Sequence, residues 1–173
     1  LRHSSAASDV YKRQTRMSGA STRILIGLAA LRKGLTRIDG HESLRKRTNE
    51  PLLKTLEQMG CIVKREGVGL PVEISGPVMG PELEIAGNIS SQYVTALLLI
   101  SPFLNQEERV AIKIKGDLVS KPYIDITVNE MRKRGLRVGW YGSRDLVVES
   151  GAYSDGEYSC LLYTSPSPRD LMR

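Results

Sequence analysis

The sequence predicts an α/β (α+β) protein made of repeated β-α-β-α-β-β units, the first of them incomplete. Three observations carry this expectation. Short strand-like runs alternate with apolar-faced helical runs across residues 19–149. The second helix of each unit stops at a glycine, Gly60 and Gly135, 75 residues apart. Beyond the first helix, elements of the same type follow in the same order in both halves.

In the first unit, STRILIGLAALRKG sets Ile24, Leu25, Leu28 and Leu31 on one helical face and ends at Gly34. A strand is expected over residues 36–39. Thr48 or Asn49 can cap the next helix, with Pro51 in its first turn, Leu52, Leu53 and Leu56 on its face and Gly60 at its end. Strands over 61–65 and 71–75 follow. No strand pattern precedes the first helix, so this unit reads as lacking its opening strand. The second unit is expected to comprise a strand at 83–86, a helix at 91–104, a strand at 109–115, a helix at 122–134 stopped by Gly135, and strands at 137–141 and 145–149.

Both ends look foreign to this pattern. Residues 1–14 (LRHSSAASDVYKRQ) and 160–173 (CLLYTSPSPRDLMR) carry no periodicity that continues into their neighbours. SSAASDVYKRQ looks like an in-frame translation of a sequencing adapter, and CLLYTSPSPRD like the paired adapter in the opposite orientation. The expected organisation is therefore a tail over 1–14, a partial domain of two repeat units over 15–159, and a second tail over 160–173.

Composition excludes several function classes. With 40% hydrophobic and 25% charged residues in 173, the chain can fold around a core. The longest apolar run, residues 94–104, is interrupted by Ser101-Pro102 and falls short of the roughly 18 residues of a membrane span. Two cysteines, Cys61 and Cys160, fit neither a disulfide framework nor a metal cluster, which makes a cytoplasmic setting the default. Of the formal charge of +6, the ends contribute +3, through Arg2, Lys12, Arg13, Arg169 and Arg173 against Asp9 and Asp170. The remainder suits a small anionic ligand and is weak support for nucleic acid.

Two segments carry chemistry. In GNISSQYVTALLL, Gly87 and Asn88 can turn after a strand, leaving Ser90 and Ser91 at the start of an apolar helix. Free amides and the positive dipole end favour an anion there, although for this segment alone ordinary N-capping is the plainer explanation of the serines. In KGDLVSKPYIDIT, Ser120, Lys121 and Tyr123 lie between a strand and a helix, where α/β folds commonly face a ligand; a strand end before a proline-initiated helix is the plainer alternative.

GNISSQYVTALLLISP and IKGDLVSKPYIDITVNEM together resemble the paired signatures of the EPSP synthase family. SGASTRILIGLAAL and IDGHESLRKRTNEPLLKTLEQMG are similar to its glycine-containing phosphoenolpyruvate loop and its basic loop with the helix that follows. The resemblance covers about 130 residues and marks an internal fragment of the N-terminal-half domain of the enolpyruvyl transferase fold. It implies transfer of the enolpyruvyl group of phosphoenolpyruvate to the 5-hydroxyl of shikimate 3-phosphate with release of phosphate. Ser90, Ser91, Gln92 and Ser120 would bind shikimate 3-phosphate, and Tyr123 would close that pocket. Gly19, Arg47 and Gln92 would serve phosphoenolpyruvate, while Arg23 matches an arginine of the first loop that is expected to be structural.

No metal, organic cofactor, nucleic acid or membrane is implied, and the parent enzyme is expected to be a monomer. The family's Lys-Ser and arginine elements would precede residue 15, and its acid-base groups would follow Gly151. No catalytic residue is therefore assigned within the chain, and the fragment itself is expected to be inactive. Met17, Ala20 and Thr48 depart from the family pattern, which has a small residue or asparagine, a threonine and a proline there. Two alternatives remain: a fragment of the related UDP-sugar enolpyruvyl transferase, which the SSQ and SKPYIDIT signatures argue against, and a non-catalytic polyanion-binding domain.

Overall fold

A computed structural model describes residues 10–104 and 109–157. The first unit runs β1 (Tyr11–Gln14), α1 (Gly19–Leu31), β2 (Gly34–Asp39), α2 (Glu42–Arg45), α3 (Glu50–Gln58), β3 (Ile62–Arg65) and β4 (Val72–Gly76). The second runs β5 (Glu82–Ala86), α4 (Ser91–Ile100), a 3₁₀ turn (Ser101–Phe103), β6 (Arg109–Lys115), α5 (Lys121–Lys133), β7 (Val138–Tyr141) and β8 (Asp145–Glu149). Each unit forms one four-stranded sheet, and the strand orders β1-β2-β4-β3 and β5-β6-β8-β7 are equivalent. In both, the opening pair is parallel and the remaining pairs are antiparallel. A parallel pair cannot be joined by a tight turn, so α1 and α4 serve as the crossovers.

The first unit is complete, contrary to the expectation from sequence. Tyr11–Gln14 pairs with β2 in parallel, from Tyr11 opposite Thr36 to Gln14 opposite Asp39. Its side chains are all exposed, so nothing in their order advertises a strand. Main-chain pairing along the edge of β2 recruits it, with Arg13 stacked 3.5 Å over the Tyr11 ring. At the equivalent place β5 buries Leu83 and Ile85. A gap of about 210 Å³ remains between β1 and α1, bordered by Tyr11, Arg13, Leu25, Leu28 and Arg32. Residues 1–9 and 158–173, which hold most of the two expected tails, lie outside the described residues.

The buried face of α1 also differs from the expected one. Ile26, Ala29 and Ala30 are buried together with Thr22 and Arg23, whereas Leu28 is 44% exposed and Ile24, Leu25 and Leu31 are only partly covered. The reason is helix-to-helix distance. A Cβ on Gly27 would stand 3.0 Å from the Ala96 carbonyl oxygen, so α1 meets α4 on its small residues and turns its leucines outward. Close approach through small side chains outweighs the apolar stripe.

Element ends shift for local reasons. α1 stops at Leu31, and Gly34, in the left-handed region at φ 100°, opens β2 instead of ending the helix. α4 stops at Ile100, where Ser101 Oγ donates to the Leu97 carbonyl at 2.7 Å and Pro102 begins the 3₁₀ turn. α2, which the sequence did not suggest, is a single turn capped by His41. The two units share one core, centred on Ile26, Leu52, Leu53, Leu56, Leu97, Leu98 and Ile100. Thr55 Oγ1 on α3 donates to the Glu84 carbonyl of β5 at 2.6 Å, tying the first unit to the second sheet.

Two outcomes test this description. Tyr11→Ala is expected to cost under about 1 kcal/mol, an exposed cation–π contact, whereas Leu83→Ala should cost about 3 kcal/mol, as read from urea unfolding midpoints. Burial pushes the Cys61 thiol up from 9.0 to about 11 and the Tyr153 hydroxyl up from 10.0 to about 12. Both groups are favoured neutral in the folded chain, so their contribution is complete below pH 9 and is lost as pH rises toward 12. Unfolding free energy measured from pH 8 to pH 12 should decline accordingly.

Candidate anion-binding site

Three helix N-termini open on one end of the fold. Arg23 lies beside Tyr93, and Gly27 beside Ala96 and Ile100, so α1 and α4 run in the same direction. α5 lies alongside α4, with Thr95 Oγ1 and Thr127 Oγ1 3.3 Å apart. The loops leading into α4 and α5 are tied together as well. Gly87 N donates to the Lys115 carbonyl at 2.9 Å, and Val119 N donates to the Gly87 carbonyl at 3.1 Å. A side chain on Gly87 would put its Cβ 2.5 Å from Ile114 Cγ2, so only glycine permits this crossing.

That tie brings Ser90, Ser91 and Ser120 to adjacent helix starts. Ser90 precedes α4, and its Oγ accepts from Gln92 N at 3.3 Å, so it does act as an N-cap. Ser91, the first residue of α4, is 8% exposed, and Gln92 is half-buried beside it. Ser120 precedes α5 in the left-handed conformation, φ 57° and ψ 40°, and makes no capping hydrogen bond through its side chain. A serine rarely adopts this backbone geometry, which places its exposed hydroxyl and the first amides of α5 at the surface. Tyr123, in the first turn of α5, is 66% exposed.

The second cluster is built on α1 and the loop after α2. In the basic run, Arg45 Nη2 pairs with Asp39 Oδ2 at 2.7 Å and Lys46 pairs with Glu42 at 3.4 Å. Arg47, among the described residues, has no carboxylate partner. It turns instead to Gly19, the first residue of α1: a Cβ there would meet Arg47 Nη1 at 3.0 Å and Arg23 Nη1 at 2.5 Å. Partial burial pushes the Asp39 carboxyl up, but the Arg45 guanidinium and the Gly40 amide outweigh it and hold it below the usual range. Asp39 thus stays charged and anchors the loop that carries Arg47.

A single carbonyl joins the two clusters. Tyr93, on α4 and 1% exposed, donates its Oη to the Thr48 carbonyl at 2.7 Å. Arg23 Nη2 lies 3.5 Å from the same oxygen. Sequence reasoning missed both roles of Thr48 and Tyr93, although a tyrosine in an otherwise apolar helix signals a buried hydroxyl that needs a partner. The arrangement offers hydroxyls, free amides, positive dipole ends and two guanidinium groups, all of which favour a polyanion. Among the described residues, no carboxylate pairs with Arg23 or Arg47, and the arrangement itself supplies charge and hydrogen-bond donors and no acid-base pair. Among the described residues, no three His, Cys, Asp or Glu side chains are grouped to hold a metal ion.

Two equivalent four-stranded units, each with a parallel opening pair joined by a helix, define the class as a two-unit α/β repeat domain. The particular family follows from comparison with known proteins. The family model for EPSP synthase (3-phosphoshikimate 1-carboxyvinyltransferase) matches residues 2–161, and the chain belongs to that family. The 3-phosphoshikimate 1-carboxyvinyltransferase of Nitrosopumilus maritimus is 40% identical over 124 residues, covering 72% of this chain and 29% of the relative. That of Methanocella arvoryzae is 39% identical over 143 residues, covering 82% and 33%. The chain therefore spans about a third of the curated relatives it matches. An EPSP synthase structure from Acinetobacter baumannii superposes with a TM-score of 0.68 at 23% identity, over 84% of this chain and 32% of that one, which shows the shared fold.

The Thr48 junction gives a direct test. Tyr93→Phe removes the shorter of the two donors and leaves the Thr48 carbonyl only the 3.5 Å approach of Arg23, at an expected cost of about 1 kcal/mol in a thermal or urea melt. An unchanged midpoint would show that the hydroxyl contributes nothing there.

Proposed function

We propose that the chain is the part of an EPSP synthase that holds shikimate 3-phosphate and one side of phosphoenolpyruvate. The single observation that carries this reading is the Gly87–Val119 tie, which joins the loops leading into α4 and α5, where Ser90, Ser91 and Ser120 stand at the helix starts. Ser90, Ser91 and Ser120, with the free amides behind them, suit a phosphate monoester. Tyr123 extends from the first turn of α5 and can close over it. Gln92, in the first turn of α4, would serve both substrates.

Phosphoenolpyruvate would lie against Gly19, where the missing side chain leaves room, with Arg47 meeting its phosphate or carboxylate in bidentate fashion. In the reaction, the 5-hydroxyl of the shikimate adds to C2 of phosphoenolpyruvate and the tetrahedral intermediate then loses phosphate. These residues contribute orientation and charge stabilisation. Proton transfer is left to groups beyond the elements described. The reading further takes the parent enzyme as a cytoplasmic monomer acting on small molecules rather than on nucleic acid or membrane. No helix among the described residues is long and apolar enough to cross a membrane.

Titrating the ¹⁵N-labelled chain with shikimate 3-phosphate should move the amides of Ser90, Ser91 and Ser120, and Ser90→Ala should weaken that response about tenfold or more, as for loss of a hydrogen bond to a charged group. With both substrates present, no phosphate release is expected. Spectra unchanged up to millimolar ligand would sink the proposal. A response to a UDP-sugar instead would favour the related transferase, and salt-sensitive binding of an oligonucleotide would favour a polyanion module.

A further inference from the structure

We propose that Arg23, expected from the sequence to be structural, is a positioning residue of the phosphoenolpyruvate subsite, holding a buried positive charge ready for an anion at Gly19. This rests on the functional reading above. Arg23 is 4% exposed, and its Nε and Nη1 are buried without a hydrogen-bond partner. Its recorded contacts are the long approach of Nη2 to the Thr48 carbonyl at 3.5 Å and the Tyr93 ring, whose centroid lies 5.7 Å from the guanidinium carbon. Among the described residues, no carboxylate pairs with it. A guanidinium cannot shed its proton, so burial without a counter-charge costs several kcal/mol by order of magnitude.

The same fold shows how it treats arginines that only hold structure together. Arg65 reaches Glu50 at 2.8 Å and Glu57 at 3.3 Å, and Arg37 reaches Glu73 at 2.9 Å and Glu66 at 3.4 Å. Both are more exposed than Arg23, yet each has two carboxylates. Arg23 is more deeply buried and has none. An anion supplied from outside would complete it.

Its direction fits that role. Helical side chains lean toward the N-terminus, so the residue four positions after Gly19 returns over the first turn. Arg23 Nη1 occupies the space where a Gly19 side chain would begin, and Arg47 Nη1 faces the same point. Two like charges thus share a small volume at the start of α1. The repulsion between them and the desolvation of Arg23 are both relieved when an anion settles at the helix N-terminus. The link from Arg23 to the Thr48 carbonyl also ties α1 to the loop that carries Arg47.

The test uses the whole 173-residue chain, ¹⁵N-labelled, with phosphoenolpyruvate and shikimate 3-phosphate as separate and combined probes. In the unsubstituted chain, phosphoenolpyruvate should move the Gly19 amide and shikimate 3-phosphate the Ser90 amide. Arg23→Met should weaken the Gly19 response about tenfold or more, as for loss of a buried charge partner, while the Ser90 response stays within about twofold. Arg23→Lys, which retains charge without the fork, should recover part of the Gly19 response. A purely structural arginine would change the melting midpoint and leave both responses intact, and that result overturns the proposal. If Arg23→Met does not fold, Arg23→Lys decides the matter: an undiminished Gly19 response is contrary to it. A chain answering shikimate 3-phosphate alone refutes the role of Arg23 and spares the phosphate half of the functional reading. A chain answering neither substrate removes both.

Discussion

The hydrogen bond from Tyr93 to the Thr48 carbonyl is the constraint on which the geometry of this end of the molecule depends. It runs from the first turn of α4, which carries the serines, to the loop that carries Arg47. Neither cluster is covalently near the other, since Thr48 and Tyr93 are 45 positions apart in the chain. The bond fixes a loop relative to a helix because its donor, on a tyrosine that is 1% exposed, reaches this short distance in one placement of the loop, and Arg23 approaches the same oxygen from α1. The parallel packing of α1 on α4 then sets the separation, and Gly27 sets how closely the two helices approach.

Around this junction the fold accepts arrangements that a purely stable protein would avoid. Ser120 sits in left-handed geometry, Arg23 is buried with no carboxylate partner among the described residues, and the exposed Arg47 brings its Nη1 to the same glycine that Arg23 faces. All three gather where three helix dipoles present their positive ends. Away from this end, Arg37, Arg65 and Lys113 on the sheets and Arg45 at the end of α2 each stand opposite a carboxylate. The buried Arg23 differs from them in having no carboxylate partner among the described residues.

Much of this was legible in the sequence because the second unit obeys its own local signals. Strand β6 and the proline-led, glycine-stopped helices α3 and α5 fall within a residue or two of their expected limits, since turn chemistry and periodicity agree there. Of the site, Ser90, Ser91, Ser120, Gly19 and Arg47 could be named from motif resemblance, and the first three lie at adjoining helix starts. What could not be read arose from tertiary packing. The outward leucines of α1 follow from the close contact at Gly27, a distance that no single-helix pattern encodes. The burial of Arg23 and the role of a main-chain oxygen at Thr48 are likewise properties of three elements meeting.

The exposed strand β1 has a consequence for how such domains tolerate change. Its place beside β2 is secured by amides and carbonyls, which every residue except proline provides in full. A position of that kind exerts little selection on side-chain identity, so its sequence is free to drift or to be exchanged for an unrelated segment while the sheet keeps its order. An exchange of this kind at the outer edge of the first sheet leaves the second sheet and its serine-bearing loops untouched.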